Sequence, residues 1–223
     1  MRILLLNPNS NEATTRAMVA IAQETAGTRA QIEGMTAPSG PLMIIDETAL
    51  TTAAELMARL ARDINAQEPD AVIISGYGDP GLDALRSMLD VPVIGIGEAS
   101  LLEASQHGPF AIATTTPGLA APITHMAQRI GGDNFRGLFL TRSDPLTLAR
   151  DETATLDQLR DCCLQAMSDP DLRAIIIGGG PLAIAARALA RELTVPIIEP
   201  IPAALRFLLE EVPANSPEPS ALS

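Results

Sequence analysis

The sequence contains no lysine, and its 15 basic residues are all arginine. An enzyme that forms a Schiff base with its substrate, or with pyridoxal phosphate, needs a lysine amine. A Walker A loop needs a lysine to contact the phosphates of its nucleotide. The absence of lysine therefore excludes both classes of protein.

Aromatic residues and positive charge are also scarce. Aromatic residues make up 2% of the chain, tryptophan is absent, and the formal net charge is -12. The chain thus lacks the stacking platforms that bind nucleobases, and its charge opposes binding to phosphate backbones or anionic membranes. Its apolar runs are far shorter than the roughly 18 residues of a membrane span. We expect a small-molecule substrate, anionic or carbonyl, and neither nucleic acid nor membrane as a partner.

Cysteine and histidine are too few to build a disulfide framework or a metal site. Cys162 and Cys163 are adjacent in a segment with helical character, where neighbouring side chains point in different directions. We expect them to be reduced core thiols. His107 and His125 lie far apart and have no cysteine or acidic partner at ligand spacing, so we expect no metal. Without disulfides or an amino-terminal apolar signal, we expect a cytoplasmic location.

Short apolar runs alternate with segments of helical periodicity along most of the chain. The apolar runs predict strands at 2–6, 29–35, 71–75, 92–96, 110–113, 137–140, 174–177 and 195–198. Strands that are apolar on both faces are typical of parallel sheets covered by helices. We therefore predict an α/β fold with two pseudo-symmetric domains, each a roughly four-stranded parallel sheet with flanking helices, and a cleft between them.

The predicted domain limits follow from this alternation. Residues 1–97 and 201–212 form the first half, and residues 98–200 form the second. Residues 213–223 are rich in proline and serine, a composition typical of disordered tails.

An internal duplication marks the centre of each half. The apolar run at 71–74 leads into Ser75-Gly76-Tyr77, and the run at 174–177 leads into Gly178-Gly179-Gly180. We call these the first and second glycine turns. Ligands of parallel sheets bind at the carboxyl ends of strands. The ends at 7–9, 75–77, 114–116, 178–180 and 199–200 should therefore surround one site.

The polar groups at these strand ends are amides, hydroxyls and backbone N–H groups. Turns that open helices expose N–H groups, and the amino end of a helix adds positive potential. Such donors bind a carboxylate or stabilise a carbonyl oxygen that gains negative charge. The predicted substrate-binding residues are Asn7, Asn9, Gly76, Tyr77, Thr114, Thr115, Gly178, Gly179 and Gly180. The glycine spacing at 76–81 differs from the dinucleotide fingerprint, so we do not expect a nicotinamide site.

Several of these stretches together carry a resemblance to a known family. They are Asn-Pro-Asn-Ser at 7–10, the turn at 77–82, Gly-Ile-Gly-Glu-Ala-Ser at 95–100 and Thr-Thr at 114–115. Their order and spacing resemble the hydantoin racemase branch of the aspartate/glutamate racemase superfamily, from residue 2 to about 209. The resemblance implies two pseudo-symmetric domains with the active site between them, cofactor-independent chemistry and a homo-oligomer.

The resemblance also implies two catalytic cysteines, which face each other across the substrate and exchange a proton next to a carbonyl. By the motif match, the first falls on Gly76 and the second on Gly179. Glycine cannot carry a proton, so we do not expect racemisation by two thiols. The related arylmalonate decarboxylases have glycine in one turn and cysteine in the other, with donors that hold a carboxylate.

Three functions remain open. The chain is a lyase, decarboxylase or isomerase that acts on a small carboxylate or hydantoin-like carbonyl compound, a non-catalytic binding or sensing protein, or a subunit of a larger assembly. For the enzyme, Tyr77 with a lowered pKa and Ser75 are the candidate catalytic residues, unless they line the turn only through their N–H groups. Asp79 is either a nearby acid or the cap of a helix that starts at Pro80.

Overall fold

The computed structural model describes residues 1–211, so the tail predicted to be disordered at 213–223 lies outside the described residues. Two four-stranded sheets, all parallel, form the framework, and helices flank both. The predicted α/β class is confirmed. No helix within residues 1–211 is long and apolar enough to cross a membrane.

The first sheet has the strand order β2-β1-β3-β4. In chain order, this half consists of β1 (Arg2–Asn7), α1 (Glu12–Ala26), β2 (Gln31–Thr36), α2 (Glu47–Arg59), α3 (Ala61–Asn65), β3 (Ala71–Ile74), α4 (Leu82–Met88) and β4 (Val93–Gly95). Strand β1 pairs with β3 so that Leu6 lies opposite Ile74. This register places the loop after β1 beside the first glycine turn.

The second sheet repeats the pattern with the order β6-β5-β7-β8. In chain order, the rest of the described chain consists of α5 (Ile96–His107), β5 (Phe110–Thr114), α6 (Ala120–Gly131), β6 (Phe135–Leu140), α7 (Pro145–Leu148), α8 (Glu152–Ala166), β7 (Ala174–Ile177), α9 (Ala183–Glu192), β8 (Ile197–Ile198) and α10 (Pro200–Glu211). Ala113 lies opposite Ile177, so the threonines after β5 lie beside the second glycine turn.

Successive residues of each strand face different cores, as the continuous apolar runs require. In β1, Leu4 and Leu6 join a cluster with the helices on the outer face of the first sheet. Ile3 and Leu5 belong to a central cluster that also contains Phe110 and other side chains of the second sheet. The two sheets therefore share one apolar core.

Helix α10 connects the halves at this central core. Its Leu205 and Leu208 are fully buried, and the helix contacts both α1 and α5. The end of the chain thus returns to the first half. The exact domain limits stay a prediction.

Two local features differ from the sequence prediction. The helical periodicity of 46–65 predicts one helix, but the segment is divided into α2 and α3 at Leu60. The N–H of Leu60 is shared between Leu56 O and Met57 O. The additional i to i−3 hydrogen bond tightens the helix locally, and no glycine or proline in the sequence marks this position. Helix α7 was not predicted, although Asp144 caps it and Pro145 occupies its first turn.

Candidate functional site

The two glycine turns lie in van der Waals contact at the centre of the molecule. A Cβ atom added to Gly178 would lie 2.8 Å from Tyr77 Cε1, and one added to Gly180 would lie 3.1 Å from Ser75 O. Any larger residue at these two positions would push the turns apart. Glycine fits there because the ring of Tyr77 packs against Gly178 and the backbone of Ser75 approaches Gly180.

A small cavity of about 80 Å³ lies between the turns. Its lining consists of Asn9, Thr14, Met18, Met43, Ile44, Ser75, Gly76, Tyr77, Thr115, Thr116, Leu119, Gly178, Gly179, Gly180, Pro181 and Leu182. We call it the inner cavity. Four of the five predicted strand ends contribute to it, and residues 199–200 do not. Tyr77 is the one ionisable side chain in this lining.

The loop after β1 is held by an asparagine network. Asn7 is fully buried, and its Nδ2 donates to Asn9 Oδ1 (2.9 Å), Asn11 O (3.1 Å) and Thr15 Oγ1 (2.9 Å). Asn9 Oδ1 also accepts from the N–H of Asn11, while its Nδ2 donates to no acceptor among the described residues. Asn7 therefore positions the loop, and Asn9 offers a free amide donor to the cavity.

Two buried hydroxyls fix the strand ends in equivalent ways. Ser75 Oγ donates to Leu6 O at 2.8 Å in the first half. Thr114 Oγ1 donates to Gly178 O at 2.6 Å in the second. Neither Thr114 nor Asn7 lines the inner cavity, whereas Thr115 does.

Both turns also present unpaired backbone donors. Within the part of the chain that the structure describes, the N–H groups of Gly76, Tyr77, Gly179 and Gly180 have no acceptor in the backbone or in a side chain. Buried N–H groups are nearly always paired in folded proteins. Tyr77 and Gly180 are buried, and Gly76 and Gly179 are half-buried, so these unpaired groups around one cavity indicate a site that receives an oxygen acceptor from a ligand.

The hydroxyl of Tyr77 is enclosed by the protein at the first glycine turn. It is buried without a hydrogen-bond partner, and the Ser100 hydroxyl near it donates instead to Gly97 O at 2.8 Å. Burial raises the pKa of Tyr77 well above its ordinary value, an effect that Ser100 only partly offsets. This direction is opposite to the lowered pKa expected of a catalytic Tyr77, and the catalytic roles of Tyr77 and Ser75 stay predictions.

Asp79 caps helix α5, and the prediction that it caps a helix starting at Pro80 is wrong. Helix α4 begins after Gly81, which has φ +79 and makes no side-chain cap. Asp79 instead accepts from the N–H groups of Gly97 (2.8 Å) and Glu98 (2.6 Å) at the start of α5. Burial raises its pKa to about 7, although these two N–H groups act in the opposite direction. The carboxylate thereby ties the first glycine turn to the helix that leads into the second half.

The two glycines predicted at the cysteine positions differ in the space around them. A Cβ added to Gly76 would lie 2.5 Å from Pro8 Cγ, which belongs to a rigid ring. At Gly179 it would lie 2.9 Å from Leu182 Cδ1, the end of a flexible side chain. The second turn therefore accepts a side chain more easily than the first.

The cysteines of the chain lie away from this site. Cys162 and Cys163 are free and are buried in the outer core of the second sheet. Burial raises the pKa of both thiols, that of Cys163 to about 12. No group of three or more His, Cys, Asp or Glu residues within residues 1–211 is arranged to hold a metal ion.

A larger cavity of about 460 Å³ adjoins the inner one, and we call it the outer cavity. The two share the lining residues Asn9, Thr14, Met43, Thr115, Pro181 and Leu182. The contribution of residues 42–44 to the site was not predicted from the sequence. Their loop is held at the site on one side by the N–H of Ser10, which donates to Pro41 O, and on the other by a β-bridge between Asp46 and Gly118. The sequence Pro-Ser-Gly-Pro at 38–41 predicts a loop, but it does not predict where that loop lies in the fold.

The chain is similar to known racemases in both sequence and structure. Residues 3–208 match the Asp/Glu/Hydantoin racemase family. A hydantoin racemase of Paenarthrobacter aurescens is 31% identical over 211 residues, which cover 92% of this chain and 89% of the relative.

Solved structures show the same similarity. An allantoin racemase from Klebsiella pneumoniae superposes with a TM-score of 0.88 at 29% identity, covering 94% of this chain and 86% of that protein. A maleate cis-trans isomerase from Nocardia farcinica, at 14% identity, shares the fold with a TM-score of 0.69 over 94% of this chain and 91% of that protein. The chain belongs to the Asp/Glu/Hydantoin racemase family.

Proposed function

We propose that the inner cavity binds a small carbonyl compound of the hydantoin type and stabilises the oxyanion that forms when a labile bond next to the carbonyl breaks. The observation that carries this proposal is the set of four unpaired N–H groups on the two glycine turns. Preorganised donors of this kind stabilise developing negative charge. The hydantoin and allantoin racemases among the relatives support a small ureide ring as the ligand.

Racemisation by two thiols is not part of this proposal. Gly76 and Gly179 occupy the positions that the motif match gives to the two cysteines. The lining of the inner cavity contains no carboxylate, imidazole or thiol that could remove a proton from carbon. Decarboxylation fits these groups, because the carbon–carbon bond breaks without a base and the donors stabilise the resulting enolate. A water molecule supplies the proton that the enolate takes up after carbon dioxide leaves. The chemistry is thus that of a lyase or an isomerase without cofactor.

The second candidate function is non-catalytic binding or sensing of the same ligand. It is favoured by the state of the two hydroxyls closest to Gly76. Ser75 Oγ is engaged with Leu6 O, and the Tyr77 hydroxyl is buried with a raised pKa. A protein with neither group free binds a carbonyl compound and releases it unchanged.

A thermal-shift assay followed by product analysis separates the two functions. The probes are optically pure 5-methylhydantoin and phenylmalonate. We expect at least one of them to raise the unfolding midpoint. Loss of carbon dioxide from phenylmalonate above the protein-free rate supports the lyase. Stabilisation with unchanged mass and optical rotation supports the binding protein, and no stabilisation by either probe contradicts both.

A pair of threonine variants locates the binding. Thr115 lines both cavities and is 4% exposed, and Thr141 lies outside them at 5% exposure. We expect Thr115→Val to reduce the ligand-induced shift and Thr141→Val to leave it unchanged. Equal effects of the two substitutions would place the ligand elsewhere.

A homo-oligomeric state and a cytoplasmic location remain further proposals, which follow from the family resemblance and the composition.

A further inference from the structure

We propose that the ligand carries a substituent with an apolar stem and a cationic end, and that Glu152 is the specificity-determining residue that receives this cation. The inference rests on the proposed function, because the substituent extends from a ring held in the inner cavity. It concerns a part of the cleft that the two glycine turns do not form.

The outer cavity suits an aliphatic stem. Its lining includes Leu42, Met43, Leu148, Leu156, Leu182 and Ile184. Leu42 is 72% exposed and Ile184 is 66% exposed, so both leave apolar surface uncovered at the mouth. A chain of methylene groups that covers these side chains removes apolar area from water, and each buried group contributes favourably.

Glu152 is the one ionisable side chain in the lining of this cavity. It lies in the first turn of α8, where Asp151 already caps the helix by accepting from Ala154 N. Among the described residues, no arginine lies within ion-pair distance of its carboxylate. An unpaired carboxylate at the edge of an apolar cavity attracts a cation and repels an anion, and the protein's net charge of -12 adds to both effects.

Together these features match a side chain of the basic amino-acid type, with three or four methylene groups and a terminal ammonium or guanidinium. They oppose a carboxylate-bearing substituent, since the lining of neither cavity contains a cationic side chain.

Calorimetric titration with three hydantoins tests the inference. The probes are 5-(4-aminobutyl)hydantoin, the neutral 5-pentylhydantoin and 5-(2-carboxyethyl)hydantoin. We expect the native protein to prefer them in that order. In Glu152→Gln we expect the aminobutyl probe to lose affinity by about threefold to fivefold, as for an exposed ion pair, with the pentyl probe unchanged.

Glu47→Gln is the matched control. Glu47 also lies in the first turn of a helix, behind the capping residue Asp46, and lines neither cavity. We expect it to leave all three affinities unchanged. Binding of the pentyl probe without a preference for the aminobutyl probe, or equal losses for all probes in Glu152→Gln, overturns the inference alone. Failure of all three probes to bind overturns the proposed function and this inference with it.

Discussion

At the residue scale, the hydroxyl groups near the cleft fall into two kinds. Ser75 and Thr114 donate to backbone carbonyls at the strand ends and hold the two glycine turns in place. Tyr77 has an unpaired buried hydroxyl, and its ring packs against Gly178. The serine and threonine therefore contribute hydrogen bonds, whereas the tyrosine contributes mainly the volume of its ring.

Tyr77→Phe and Ser75→Ala should consequently have opposite effects. Removal of an unpaired buried hydroxyl takes away a desolvation cost, so we expect Tyr77→Phe to leave the free energy of unfolding unchanged or to raise it by about 1 kcal/mol. Ser75→Ala breaks a buried hydrogen bond and should lower it by about 1 kcal/mol. Urea titration measures both. Loss of ligand turnover in Tyr77→Phe, with binding intact, would return this residue to the mechanism.

Asp79 should make stability depend on pH in an unusual direction for an acid. Its folded pKa of about 7 lies above the unfolded value near ~4, so the folded state takes up a proton between them. The contribution of Asp79 to stability is thus greatest below pH ~4 and falls as pH rises to about 7.

Asp79→Asn tests this. The amide oxygen replaces one acceptor and leaves Gly97 or Glu98 N–H unpaired, which should cost about 1–3 kcal/mol. Because asparagine does not titrate, we expect the gap between native and variant stability to narrow from pH 4 to pH 7, as followed by urea unfolding. A gap that stays constant or widens over this range would contradict a raised pKa of Asp79 in the folded state.

At the element scale, the two glycine turns share a sequence pattern but differ in the space that they offer to an added side chain. The first turn packs against the ring of Pro8, and the second against the flexible end of Leu182. We expect Gly76→Cys to lower the free energy of unfolding by about 1–3 kcal/mol, as overpacking does, and Gly179→Cys to cost less. Denaturant unfolding of the two single variants compares them. Equal costs would mean that Pro8 moves as easily as Leu182.

The double variant examines the motif match itself. If Gly76 and Gly179 stand where the family resemblance places the two thiols, the double cysteine variant should racemise an optically pure hydantoin faster than either single variant. Polarimetry follows the reaction. A folded double variant without activity would show that the assigned positions or the substrate class are wrong.

Much of the element order could be predicted from the sequence, because most of the buried strands are short apolar runs that end at a glycine, asparagine, serine or threonine. The split at Leu60 could not, since it comes from a local shift in hydrogen bonding that no residue type marks. Strand β8 is also shorter than predicted, covering only Ile197–Ile198.

The lining residues that lie at strand ends could be predicted from the sequence, whereas those that lie in a distant loop could not. Asn9, Thr115 and the two glycine turns follow from the rule on carboxyl ends and do line the inner cavity. Met43 and Ile44 reach it through tertiary contacts of their loop, which leave no trace in the local sequence. The N–H groups that donate to Asp79 belong to a helix about 18 residues further along the chain, and short-range capping rules do not extend that far.

At the scale of the whole molecule, we expect the two halves to unfold as one unit because they share a core. Leu205 of α10 is fully buried in that core, so Leu205→Ala should cost about 2–5 kcal/mol. We expect a single transition in circular dichroism, with amide protection lost together in β1 and β7. Leu164→Ala, at a site 53% exposed, serves as the control and should cost little. Loss of protection in one half only would show that the halves are independent.

The inner cavity combines donors from both halves, and its described lining residues include no carboxylate, imidazole or thiol that could remove a proton from carbon. The central claim is that such a cleft binds a hydantoin ring without racemising it. Proton NMR of an optically pure 5-substituted hydantoin in deuterium oxide, with and without the native protein, tests this most directly. We expect saturation transfer from the protein to the ring, while the proton on carbon 5 exchanges at the protein-free rate. Faster exchange with the protein present, or no transfer to the ring, would contradict the claim.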